Sequence, residues 1–400
     1  MLRKKNQGGA VMSKKFFFKL NFFALIFAVA VLTFSASALA SQFEYEYLVK
    51  IFGKSFSEKR LIAEMINARY PGLPEDILNI IESKYSALPL RIPSIANSCF
   101  KDGAKGKLKL IRSAFASLKT DYDGALQAFI KDFAENILKP NPALIDDLIA
   151  KKGEMKSLAS KHETLAKTLL ESKDEIKALV EARHASVKDE IKNAAVTNFK
   201  KINPEILKKA AGDFKNFRDN NPQLIECAGK LKNKFPDMKK PGIIVISLLK
   251  NPETLVKLTE IIGSGYKNEI CSFIEGFLDT LIENGGGDFF SLRADIADLL
   301  NKKNPGVLFK AAKFKLEAKR NMAAFIKEKY PQLPEKISGL LDKHFGAFFQ
   351  KITQIINKEQ PELIKSVLTK VRSEFGGLEK DIDLLLKEKY PSLLSDIESG

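Results

Sequence analysis

The sequence predicts an all-α protein: an elongated, solenoid-like array of helix pairs built on a helical repeat, with one long central helix. Three observations predict it. No segment alternates apolar and polar residues as a half-buried strand would. Nine Xaa-Pro pairs, with Asn, Tyr or Gln before the proline, are each followed two or three positions on by an apolar residue. The 50 residues from Glu154 to Asn203 contain neither glycine nor proline. At 45% hydrophobic the 400-residue chain can bury a sizeable core and is not of disordered composition.

The chain opens on a targeting signal. Lys14, Lys15 and Lys19 form a basic head, Phe22 to Phe34 is apolar and uncharged, and Ala38-Leu39-Ala40 precedes Ser41. This is the layout of a secretory signal with a small-x-small cleavage site. The apolar stretch is 13 residues, short of the about 20 that span a bilayer. Residues 1–40 are therefore expected to be removed on export, leaving a periplasmic or secreted protein. No cysteine near Ser41 offers a lipid anchor. Translation is expected to start at Met12, because Gln7-Gly8-Gly9 can be encoded by a purine-rich, ribosome-binding run, which implies a bacterial gene.

Residues 41–100 form an N-terminal helical region with a helix start at Tyr70-Pro71. Residues 101–287 form a central region that opens on the polar, glycine-containing stretch 101–107 and closes on Gly285-Gly286-Gly287, the strongest linker signal in the chain. Its helix starts are Asn141-Pro142, Asn203-Pro204, Asn221-Pro222 and Asn251-Pro252. Proline at the first helical position loses no hydrogen bond, the residue before it is pushed out of the α region, and asparagine there can cap the first turn. Within 154–203, apolar residues fall at Leu158, Leu165, Leu169, Ile176, Val180, Val187 and Ile191, an 11-residue pattern that runs nearly straight along a helix. One continuous helix is expected, the alternative being two with a break near Lys173-Asp174. The apolar run Ile243–Leu249 reads as a short buried helix.

Residues 288–400 carry C-terminal repeats of about 30 residues. Pro331, Pro361 and Pro391 are 30 apart, after Asn304-Pro305, and Phe345-Gly346 and Phe375-Gly376 stand 15 residues before two of them. The unit reads as two helices with a bend at Phe-Gly. Such a unit buries its apolar face only by stacking on neighbours.

No catalytic motif is present. His162 and His184 share a face but on one helix lie about 33 Å apart, too far for a common centre, and His344 stands alone. Asp121-Tyr122-Asp123-Gly124 lacks the later ligands of a calcium loop and reads as a helix cap. Gly263-Ser264-Gly265 lacks the preceding strand of a dinucleotide site. Asp146 and Asp147 are adjacent and so point to different faces. No catalytic, metal or cofactor-binding residue is assigned, and no cofactor is expected. Of Cys99, Cys227 and Cys271, the pair Cys227 and Cys271 is the candidate disulfide for an oxidising compartment.

Removing residues 1–40, with six basic and no acidic residues, leaves 59 Lys and Arg against 49 Asp and Glu, an excess of ten. Outside the cytoplasm the anions on offer are head groups, envelope polymers and acidic proteins, not nucleic acid. The expectation is an exported, non-enzymatic helical interaction protein of the bacterial envelope or exterior that binds an acidic partner or anionic surface. Alternatives are a carrier of a lipid-like ligand in a cavity lined by some of the 29 phenylalanines, and a helical adhesin or toxin.

Overall fold

A computed structural model describes residues 54–160, 167–168, 170–236, 238–284 and 291–399, all in helices and the corners between them. The N-terminal helices are α1 (Phe56–Arg69), α2 (Leu73–Lys84), α3 (Leu88–Cys99), α4 (Gly103–Asp121) and α5 (Ala125–Phe133), which runs into a π-helical turn, Ala134–Leu138. The central helices are α6 (Leu144–Ser160), α7 (Lys173–Lys200), α8 (Pro204–Asp219), α9 (Pro222–Lys234), α10 (Lys240–Leu249), α11 (Pro252–Gly265) and α12 (Lys267–Glu283). Then follow α13 (Leu292–Lys303), α14 (Val307–Lys329), α15 (Leu333–Glu359), α16 (Leu363–Glu374), α17 (Leu378–Lys389) and α18 (Leu393–Ser399). The signal segment, His162 and Gly285-Gly286-Gly287 lie outside the described residues.

One kind of corner recurs. At Tyr70, Tyr85, Tyr330, Gln360, Phe375 and Tyr390 the N–H still donates to the carbonyl four residues back, and φ then swings to between −129° and −136°. The N–H three residues on returns to the corner residue's carbonyl, at 2.8 to 3.2 Å. A leucine at that position starts the next helix. Leu73, Leu88, Leu333, Leu378 and Leu393 are all buried.

Proline therefore plays two parts. Pro204, Pro222 and Pro252 open their helices as expected. At the other six pairs the proline sits in a two-residue turn, and the helix starts two residues later. The asparagines also depart from expectation. Asn203 does cap forwards, accepting the Glu205 N–H at 2.9 Å. Asn141, Asn221 and Asn251 instead point back, their Nδ2 donating to the carbonyls of Ile137, Phe217 and Ser247 at 2.6 to 2.7 Å. They satisfy carbonyls that the preceding helix end leaves without a partner.

Phe-Gly behaves in two ways. Phe375-Gly376-Gly377 breaks the chain into α16 and α17, whereas Phe345-Gly346 passes uninterrupted through the 27-residue α15. A second glycine follows only at 376–377. At 346 the chain continues Ala347-Phe348, and Phe348 is buried at 1% exposure.

The segment 154–203 is described as α6, the helical residues 167–168 and 170–171, and α7, with Ser172 in a turn just before α7. Ser172 is buried and its hydroxyl bonds back to the Thr168 carbonyl at 2.6 Å, an interaction that bends helices. The helical bonds run on across Ser172, its N–H to the Thr168 carbonyl and the Ile176 N–H to its own carbonyl, while residues 161–166 and 169 of the expected rod lie outside the described residues. Where the seam is described it is the covered side of the helix: Val187 is buried, and Ile176, Val180 and Ile191 are half-buried. α7 packs on α12 and α13. The seam stops at Asn198, which is buried and bonds the Ala194 carbonyl and Thr280 Oγ1.

α15 runs through the middle of the packing, against α1, α4 and α5. The first and last described helices meet. Ile62, Leu73, Leu88 and Ile95 share one core with Val371, Leu378, Ile382, Leu386, Leu393 and Ile397. Polar clasps stitch this core. Tyr70 donates to Asp396 and Tyr390 to Asp76, each at 2.5 Å, while Tyr85 donates to Asp381 at 2.7 Å. The rings of Tyr70 and Tyr390 meet edge to face at 5.7 Å. Gly72 and Gly377 stand where a Cβ would press on the Tyr390 and Tyr85 hydroxyls, at 3.1 and 2.5 Å. The Tyr330–Asp147 bond repeats the arrangement between α14 and α6.

Candidate functional site

Most of the corner charges are spent inside the fold. Arg69 pairs with Asp396, Lys84 with Asp381, Lys389 with Asp76 and Lys329 with Asp147, at 2.5 to 3.0 Å. These cations, assisted by the tyrosine hydroxyls, hold Asp76 and Asp147 below the usual carboxylate range. At Asp381 and Asp396 the tyrosine bond leads and the cation follows, with the same direction. Burial and the carboxylate together push Tyr85, Tyr330 and Tyr390 up to about 12.

The region from Lys200 to Lys240 is different. It holds eleven Lys and Arg against five Asp and Glu, a surplus of six in 41 residues. That is more than half of the excess carried by residues 41–400. The charge concentrates where α9 turns into α10. Lys230, Lys232, Lys234, Lys239 and Lys240 are all exposed. Among the described residues only Lys230 of these five has an ion pair, with Glu226 at 2.6 Å. Phe235 shapes the corner as the tyrosines do elsewhere: its N–H donates to the Leu231 carbonyl at 2.8 Å, its φ is −132°, and the Met238 N–H returns to it at 3.0 Å. Lys234 lies over the Phe235 ring, 5.6 Å from its centroid. Lys239 and Lys240 stand at the start of α10, which has no acidic residue in its first turn. Cations there oppose the positive end of the helix dipole, so the local potential rises further.

Beside this corner is a hollow of about 330 Å³ walled by Cys227, Leu231, Gln223 and Asn251 and by three lysines. Its two carboxylates are committed, Glu226 to Lys230 and Asp146 to Lys250. Lys234 is the third lysine, with no ion pair among the described residues. A smaller hollow of about 170 Å³ borders Tyr330, Lys329 and Lys336. Neither has a phenylalanine in its wall. Phe129 stacks on Phe133 within α5 and meets Phe345 of α15 at a tilt, and Phe273 stacks on Phe277.

The residues weighed for chemistry do not converge. Cys227 lines the hollow on α9, and Cys271 lies on α12, its thiol pushed up by burial. Both are free, as is Cys99, and the expected Cys227–Cys271 bond is not formed. α9 packs on α8 and α10, while α12 packs on α4 and α7. His184 is on α7, remote in sequence from His344. His344 Nε2 contacts Asp132 at 2.8 Å beside the Phe129 ring, tying α15 to α5. Asp121 and Asp123 are taken by Lys351 and Lys267, and their segment is a corner with Gly124 at φ +81°. Gly263 is a packing glycine, where a Cβ would meet Gln127 Oε1 at 2.5 Å. Among the described residues no acidic, histidine or cysteine group could hold a metal ion, and no helix is long and apolar enough to cross a membrane.

Sequence reasoning missed the lysine cluster of the α9–α10 corner. The signal was present as a local surplus, five lysines and one aspartate in residues 230–240.

No family model matches the chain, and no curated protein or solved structure is similar to it. The class that fold and site define is an all-helical protein with a lysine-rich corner between α9 and α10.

Proposed function

We propose that the protein is an exported, non-enzymatic interaction protein of the bacterial envelope or exterior, and that it engages an acidic partner or anionic surface through the basic face around Lys230–Lys240. The observation that carries this is the local charge surplus: residues 200–240 hold eleven Lys and Arg against five Asp and Glu, and Lys230, Lys232, Lys234, Lys239 and Lys240 are all exposed. Unneutralised charge of one sign raises the local concentration of oppositely charged partners and speeds their encounter. The recurrent corners, 15 residues apart at Tyr70 and Tyr85 and at Gln360, Phe375 and Tyr390, support a helical-repeat scaffold for this face. The carrier alternative finds no phenylalanine in the walls of the two hollows described above.

The test is salt dependence with a charge-removed control. Binding of the mature chain to phosphatidylglycerol vesicles, or to purified anionic envelope polymer, should weaken as ionic strength rises and the screening length falls to about 8 Å at physiological salt. Replacing Lys232, Lys234, Lys239 and Lys240 by glutamine should remove the salt-sensitive part. Binding that persists at high salt and ignores these substitutions would reverse the reading.

A further inference from the structure

Helices α16 to α18, residues 363–399, form a layer docked on α1 to α3. They pack on α2 and α3, and the other members of their core lie on α1 to α3 and the corners between them. Their polar contacts lead to the same place. Glu374 pairs with Arg91, Asp381 with Lys84 and Lys389 with Asp76, and Lys370 donates to the Ser98 hydroxyl. The facing residues run in mirrored order. Phe375 meets Tyr85 edge to face at 6.4 Å, and fifteen residues further along in opposite directions Tyr390 meets Tyr70. The layer is the outer one. On their other side α1, α2 and α3 pack on α15, α14 and α13. There Asp342 caps α1, and Lys313 and Arg320 pair with Glu82 and Glu75 of α2. The face of α1 to α3 therefore keeps its support when the outer layer leaves it.

One short turn joins the layer to α15. Gln360 is pinned, its Oε1 accepting the Lys101 N–H at 2.8 Å, so the pivot is Pro361-Glu362. Glu362 holds φ at +64°, one of two non-glycine residues with positive φ among the described residues. The left-handed region crowds a Cβ against the following carbonyl, so a glutamate there stores strain that opening the turn releases. Pro361 bars α15 and α16 from fusing into one helix, which leaves the opened link an extended strap. We propose that residues 363–399 exchange between two copies of the chain, each layer swinging out at Pro361-Glu362 to dock on α1 to α3 of the other copy. The dimer closes with two-fold symmetry and remakes every clasp. The occupant is selected by what already covers the face: the groups at 374, 375, 381, 389 and 390 are matched to it in kind and spacing, and a second copy offers the same segment. Both states bury the same face, so the turn and the protein concentration set the balance. The exchange does not depend on the basic face.

The experiment mixes light and heavy-isotope-labelled full mature chains in mild urea and dialyses them together at about 1 mM, the order of effective concentration that a short linker gives. Size-exclusion chromatography with light scattering separates monomer from dimer. Carbodiimide then joins ion-paired lysines and carboxylates, and mass spectrometry reads the Lys84–Asp381 and Lys389–Asp76 pairs. The dimer should give heavy–light cross-links at both pairs, and the monomer only heavy–heavy and light–light. Glu362→Gly, which accepts positive φ without strain, should lower the dimer fraction severalfold. Glu362→Pro, which cannot adopt positive φ, should raise it severalfold. Glu362→Gln, which loses the exposed pair with Lys365 but keeps the strain, should match the unsubstituted chain. A chain that stays monomeric throughout, or a dimer without heavy–light cross-links at these pairs, would overturn the exchange. So would a dimer fraction that Glu362→Gly leaves unchanged. If circular dichroism shows that Glu362→Pro does not fold, the cross-links of the unsubstituted chain and the Glu362→Gly response decide.

Discussion

Ile382 tests whether the first and last described helices form one structural unit. It is 1% exposed on α17, inside the core shared by α1 to α3 and α16 to α18. Ile382→Ala removes three carbons, which at about 0.8 kcal/mol each is about 2.4 kcal/mol of lost transfer energy. A void of roughly 80 Å³ that fails to collapse adds about 2 kcal/mol, so the expected loss lies between about 2.4 and 4.4 kcal/mol. Leu384, two residues on and 51% exposed, is the control, and its alanine variant should cost about 0.5 kcal/mol or less. Urea denaturation reads the totals. Amide hydrogen exchange reads the coupling: Ile382→Ala should accelerate exchange in α2 and α3 as well as in α16 to α18. A loss under about 1 kcal/mol, or faster exchange confined to residues 363–399, would refute the shared core.

Three further outcomes are expected. Asp342 accepts the N–H groups of Phe56 and Ser57 at 2.6 and 2.8 Å and the Ser57 hydroxyl at 2.5 Å, capping α1 from α15; Asp342→Ala should cost about 1 to 2 kcal/mol and fray α1 first, as hydrogen exchange will show. Stability should fall at both pH extremes. The lowered carboxylates Asp76, Asp147, Asp381 and Asp396 contribute fully above the ordinary range near 4, and that contribution fades as pH falls through their folded values. The raised phenols Tyr85, Tyr266, Tyr330 and Tyr390 contribute fully below about 10 and lose it as pH rises towards about 12. Denaturation midpoints across pH, with tyrosinate absorbance on the alkaline limb, check both; a midpoint flat from pH 3 to pH 11 would contradict them. N-terminal sequencing of the exported form should begin at Ser41, and a mature chain that keeps Phe22 to Phe34 would contradict the signal.

Much of the local structure was legible because its causes are local. Xaa-Pro pairs mark where helices begin, the seam through Ile176, Val180 and Val187 marks a covered face, and the run at 243–249 is helical with Ile243, Ser247 and Leu248 buried. Details set by competing partners were harder to read. Whether asparagine caps forwards or backwards depends on which end lacks a partner, as Asn203 and Asn221 show. Whether Phe-Gly breaks a helix depends on the residue that follows. The clasps left a trace, Tyr-x-x-Leu-x-x-Asp at both 70–76 and 390–396. That each copy answers the other across 314 to 326 residues is a tertiary fact, beyond what period or propensity encodes.

The most direct test is lysine footprinting of the mature chain in native envelope extract, with amine acetylation read by mass spectrometry. The basic-face account predicts that Lys232, Lys234, Lys239 and Lys240 are protected in extract and react freely in the purified protein, while Lys177 and Lys188 on α7 react equally in both. Equal reactivity of the 232–240 lysines in both samples, or protection centred elsewhere, would contradict it.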